Sequence, residues 1–141
     1  ESFHDGDYLL IDELTYRFEA PTRGDVIVFR YPENPSQFFI KRIIGLPGES
    51  VEIKDNKVTI FNSQYPKGLI LKEDYLSAGQ RTEGSASVKL GDGQFYVLGD
   101  NRLQSSDSRR WGMLDNKFIT GRALLRIWRL TNITKVEAVN C

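Results

Sequence analysis

The chain has 141 residues, 40% hydrophobic and 27% charged, a globular composition with length for one domain and a sizeable core. Its 19 basic and 19 acidic side chains cancel, which argues against a nucleic-acid protein, whose affinity rests on phosphate neutralisation. One histidine, His4, and one cysteine, Cys141, exclude a multi-histidine site, a cysteine-rich metal site and an internal disulfide, and no apolar run approaches the roughly 20 residues that span a bilayer.

The N-terminus does not read as a secretory signal, so any membrane anchor is expected outside the chain. The polar entry from Glu1 to Asp7 leads into a strand at Tyr8–Asp12. Asp5, Asp7, Asp12 and Glu13 fit no calcium-loop spacing and read as turn and strand-end residues. Residues 15–22 form a connection. Arg23-Gly24-Asp25 is a turn composition rather than an adhesion motif. Val26–Tyr31 is a β-branched strand, and Pro32-Glu33-Asn34-Pro35 predicts a longer, proline-bearing hairpin loop.

The next strand runs from Phe38 to Ile44 and stops at Gly45-Leu46-Pro47-Gly48. Alternation puts Phe39, Lys41 and Ile43 on one face and Phe38, Ile40, Arg42 and Ile44 on the other. Lys41 is therefore one amine flanked by apolar side chains. Two readings are open. The lysine can snorkel to the surface along its stem. Alternatively it is held dry, which disfavours the ammonium form and makes the amine a candidate general base.

A second hairpin follows, Val51–Lys54 and Val58–Phe61 around Asp55-Asn56-Lys57. Residues 62–90 are richer in Gly, Ser, Gln, Lys and Glu, with short strand candidates at Leu69–Leu71 and Ser87–Leu90. They read as a smaller β subdomain inserted into a core of residues 1–61 and 91–141. Gln94–Leu98 is a strand that enters a polar loop from Gly99 to Gly112. Asp100, Arg102, Asp107 and Arg109 can form charge pairs there, and Ser105, Ser106 and Ser108 offer hydroxyls. Leu114–Phe118 predicts one helical turn, and Phe118–Trp128 a last strand bulged at Gly121. Asn132-Ile133-Thr134 matches a glycosylation acceptor, a frequent chance match. With strands and turns almost throughout, the fold class is all-β, with antiparallel sheets.

A strand lysine, a preceding hairpin and a distal Asp/Ser/Arg loop together resemble the type I signal peptidases, the membrane-bound serine–lysine proteases. The resemblance runs through Gly6-Asp7-Tyr8-Leu9-Leu10, Arg23-Gly24-Asp25-Val26-Ile27-Val28-Phe29, Ile40–Glu49 and Gly99-Asp100-Asn101-Arg102 with Ser105, Asp107-Ser108-Arg109 and Trp111-Gly112, in that order. It implies a signal-peptidase-like β core that removes N-terminal signal peptides from preproteins without metal or cofactor. Lys41 would be the general base and Ser105 would orient its amine. Asp107 with Arg109 would form a supporting ion pair, and Asp100 and Arg102 would brace the loop. The substrate would be an extended peptide with small residues at the first and third positions before the cut, lying along Phe3, Leu9, Val28, Phe39 and Ile40. Trp111 and Trp128 are candidates for a bilayer-facing surface. The whole protein would act at the extracytoplasmic face of the cell membrane, through an N-terminal anchor not in this chain.

One departure stands out. The family's nucleophile motif, Ser-Met-x-Pro-Thr-Leu, precedes Gly-Asp by two residues, and counting back eight positions from Gly6 falls before Glu1. Ser2 falls at the motif's Thr and Phe3 at its Leu. The nucleophile is thus expected upstream of residue 1, and residues 1–141 alone are expected to be inactive. Two other classes remain: a repressor-type self-cleaving regulatory domain, which the Gly-Asp-Asn-Arg loop fits poorly, and a non-catalytic assembly or chaperone module, which has no need of a buried base.

Overall fold

The computed structural model describes residues 8–13, 15–17 and 19–127. The described residues are all-β, in two antiparallel sheets. The larger has six strands, β1 (Tyr8–Asp12), β2 (Val26–Tyr31), β3 (Asn34–Gly45), β8 (Gln94–Leu98), β9 (Leu114–Asp115) and β10 (Ile119–Ile127), in the order β1-β10-β2-β3-β8-β9. The smaller has four, β4 (Ser50–Lys54), β5 (Lys57–Phe61), β6 (Leu69–Ile70) and β7 (Ala86–Lys89), in the order β6-β5-β4-β7. Residues 62–90 thus supply β6 and β7, which flank the β4–β5 hairpin.

β3 is central because its two faces belong to two cores. Ile43 packs with Ile27, Phe29, Phe95, Val97 and Leu114. Its neighbour Ile44 packs with Val51, Ile53, Val58, Ile60, Leu90, Tyr96 and Leu98, which joins the two sheets. The period of two along an apolar run produces this division directly.

The turns differ in detail from the sequence expectation. The β2–β3 reversal is tight, with Tyr31 opposite Asn34, and the extra residues fall after it, between Asn34 and Phe38. Pro35 has no N–H to give the ladder, so a bulge accommodates it more readily than a regular pairing. The β4–β5 turn is the two-residue type that suits twisted strands, with Asp55 and Asn56 both at positive φ, 53° and 63°. The ladder is irregular between Ile119 and Gly121, where the glycine predicted a bulge. The predicted turn at 114–118 is instead β9 followed by a 3-10 turn over Asn116–Phe118, started by Asp115 accepting from the Lys117 N–H. A one-turn helix over Ser108–Trp111 was not predicted. Trp128 and the Asn132 acceptor lie outside the described residues.

The turn after β3 is held by an ion pair. Arg23 donates to Glu49 through both terminal nitrogens, at 2.6 and 2.9 Å, and Glu49 also accepts from Asn62 and the Leu46 N–H. Burial alone would raise the Glu49 carboxyl, but the bonds from Arg23, Asn62 and Leu46 outweigh it and hold the group below the usual carboxylate range. A carboxyl depressed in the folded state contributes stability above its unfolded pKa and loses it as pH falls through the lower folded value. Chemical denaturation between pH 7 and 3 is therefore expected to show a steeper acid loss in the wild type than in Glu49→Gln. Parallel curves would mean that this pair is not a source of the acid sensitivity.

Candidate active site

Lys41 sits in the middle of β3, opposite Ile27 of β2, and is 8% exposed. The sheet that buries its stem also aims its amine. Nζ donates to Ser105 Oγ at 3.0 Å and lies 5.6 Å from the centre of the Phe39 ring. Ser105 comes from the loop after β8, 64 positions along the chain.

That loop is held from several sides. Asp107 is fully buried, and one carboxylate oxygen accepts from the Gly99 N–H at 3.1 Å. The other accepts from the Arg109 N–H at 3.1 Å, so Asp107 caps the one-turn helix. The Arg109 guanidinium closes the pair with bonds of 2.9 Å to each oxygen. Arg109 also donates to the carbonyls of Arg102 and Glu83. Ser108 Oγ accepts from the Val97 N–H and so ties the helix to β8. Gly99 is the close-packed point. A Cβ built there would overlap Ser105 Oγ, lie 2.6 Å from Ser105 Cβ and 3.3 Å from Lys41 Nζ. Only a residue without a side chain lets the hydroxyl reach the amine.

The other two loop charges pair outside the loop. Asp100 takes a two-pronged contact from Arg42, at 2.9 and 2.7 Å, and Arg42 also donates to the Gly24 carbonyl. Arg102 is 2% exposed; it donates to the Gly99 carbonyl at 2.8 Å, to Thr82 Oγ1 at 2.7 Å and to both oxygens of Glu73 at 3.0 and 2.5 Å. Sequence reasoning missed Arg42, Glu73 and Thr82. Glu73 and Arg102 are 29 residues apart, and no local pattern links them. Tyr96, fully buried under the loop, has its phenol pushed up to about 12 by burial and by the charge of Asp107.

The expected substrate-lining residues divide between two faces. Val28 is opposite Ile40, and Ile40 borders a small recess with Val26, Lys41, Arg42 and Asp100. Phe39 points to the other face, stacked on Tyr31 at 4.4 Å between centroids and edge-on to Phe29. Trp111 belongs to the same aromatic cluster, against Phe29 and Tyr31. Leu9 lies on β1, paired with Arg126 of β10, and Phe3 lies outside the described residues. Among the described residues no helix is long and apolar enough to cross a membrane, and no group of three or more His, Cys, Asp or Glu is placed to hold a metal ion.

The fold is that of a known peptidase class. A crystal structure of a signal peptidase I from Enterococcus faecalis matches with a TM-score of 0.61 and 32% identity, over 76% of this chain and 98% of that one. A probable signal peptidase I from Synechocystis is 38% identical over 132 residues, and the signal peptidase I of Leptolyngbya laminosa is 38% identical over 134. These alignments take in 90% of this chain but 57% and 63% of the two relatives' length. Residues 1–128 match the family described as signal peptidase, peptidase S26. The chain belongs to that family.

Proposed function

We propose that this chain is the base-bearing catalytic core of a type I signal peptidase, a serine endopeptidase that releases N-terminal signal peptides from preproteins at the extracytoplasmic face of a cell membrane. The observation that carries the reading is the Lys41–Ser105 hydrogen bond, 3.0 Å long, on a strand lysine with little access to water. Lys41 is the general base. It takes the proton of a serine hydroxyl as that oxygen attacks the scissile carbonyl, and returns it to the leaving amine. It then takes a proton from the water that attacks the acyl-serine ester, and the serine leaves with that proton. Ser105 orients the amine, and Asp107, Arg109, Asp100 and Arg102 fix the loop that carries Ser105. The substrate adds as an extended strand, its main chain hydrogen-bonded and its small side chains facing Val28 and Ile40.

We assign the serine to the family's nucleophile motif, which on the spacing counted back from Gly6 would precede residue 1. The test compares residues 1–141 with a protein carrying that motif in register before Gly6, on a preprotein with alanine at the first and third positions before the cut. The longer protein is expected to cleave and residues 1–141 to leave the substrate intact. In the longer protein Lys41→Met should lower kcat/KM by about 10²–10⁴. Wild-type cleavage by the Lys41→Met protein would overturn the assignment of the base.

A further inference from the structure

The loop that carries Ser105 is not held by its own residues alone. Residues 71–85 run between β6 and β7 with little regular structure, and they deliver three side chains to it. Glu73 accepts two bonds from the buried Arg102, and Thr82 accepts a third. The hydroxyl of Tyr75 donates to Glu73 at 2.7 Å, and its ring lies 4.0 Å from the Arg42 guanidinium. Burial and the bond to Glu73 raise the Tyr75 phenol above its usual range, which keeps that hydroxyl a donor.

The geometry gives this contact a direct line to the amine. Arg102 Nε grips the carbonyl of Gly99, and Asp107 grips the N–H of the same residue. Gly99 is the residue against which Ser105 Oγ and Lys41 Nζ are packed. We infer that Glu73, assisted by Thr82 and Tyr75, is a positioning residue for Lys41: it fixes Arg102, Arg102 fixes the Gly99 peptide, and that peptide sets the room in which Ser105 meets the amine. The inserted segment is then part of the machinery that places the base. This rests on the proposal that Lys41 is the base.

The test uses a charge-conserving change. Glu73→Asp keeps the carboxylate and withdraws it by one methylene, so the double contact to Arg102 is lost while the charge stays. Arg42, Asp100, Asp107 and Arg109, the other charged groups around the site, are untouched. Glu49→Asp is the matched control, because it shortens the half of another buried pair that lies at the turn after β3. Two quantities are read by NMR in the 141-residue protein: hydrogen exchange of the Gly99 amide, and the titration midpoint of the Lys41 side chain.

Glu73→Asp is expected to speed Gly99 exchange about tenfold or more by local opening. The Lys41 midpoint should rise toward the ordinary lysine range as water enters. Glu49→Asp should move neither. Unchanged Gly99 exchange and an unchanged Lys41 midpoint in Glu73→Asp would overturn the inference. Where wild-type Lys41 titrates below the ordinary lysine range, faster exchange with an unmoved midpoint would overturn it as well, reducing Glu73 to a structural tie. If wild-type Lys41 itself titrates as an ordinary lysine, the base assignment fails, and Gly99 exchange alone decides whether Glu73 sets the loop. Should Glu73→Asp not fold, Thr82→Val removes one contact to Arg102 and is judged by the same two readouts.

Discussion

Alanine at Gly99 is expected to part Lys41 from Ser105. The new methyl would occupy the space of the Ser105 hydroxyl and crowd Ser105 Cβ at 2.6 Å, so the loop has to move as a unit. Overpacking of this kind costs about 1–3 kcal/mol. The larger effect is on the site. A displacement of about 1 Å in a catalytic group costs on the order of a hundredfold in rate. A nucleophile-bearing protein with Gly99→Ala should therefore lose at least about that much in kcat, with a smaller change in KM. A double change separates crowding from chemistry. Gly99→Ala with Ser105→Gly removes the clash and the hydroxyl together. Urea denaturation should show most of the stability recovered, while kcat stays low. Recovery of both would mean that the hydroxyl of Ser105 has no part in orienting the amine.

The second large effect is expected at Asp107. Its carboxylate has no exposure to solvent and serves the Gly99 N–H, the first turn of the short helix and the Arg109 guanidinium at once. Removing one partner of such a pair leaves a charge with its desolvation uncompensated, a loss of about 3–5 kcal/mol. Asp107→Ala should approach that range in urea denaturation followed by tryptophan fluorescence. Asp107→Asn keeps the shape and can still cap the helix, so its cost should be nearer about 1–3 kcal/mol. Equal and small effects from the two would show that the Asp107–Arg109 pair is not a major support of the loop.

What could be read in advance follows from how local each signal is. The alternation from Phe38 to Ile44 placed Lys41 on the face of Phe39 and Ile43, because a strand's side-chain period leaves no other choice. Asp55 and Asn56 announced a turn because their side chains tolerate positive φ. The helix over Ser108–Trp111 was hidden because four residues are too few for an apolar period; its start is set by the Asp107 cap. The bulge after Asn34 was hidden because proline reports that the ladder is interrupted, not where the turn falls. At the site, the dense polar loop advertised itself by composition, but its partners did not. Asp100 pairs with Arg42 from a strand 58 positions earlier, and Arg102 with Glu73 from a stretch without periodicity. Long-range ion pairs leave no trace in sequence spacing.

The two-sided burial of β3 bears on how this protein comes apart. With Ile43 locked into one cluster and Ile44 into the other, there is no fault line along which one sheet could melt while its neighbour survives. The amides flanking Lys41 should therefore be among the last to exchange, at a rate set by global unfolding. A damaging substitution deep in the small sheet, at Ile53 or Ile60, should hasten their exchange as much as one beside the lysine itself.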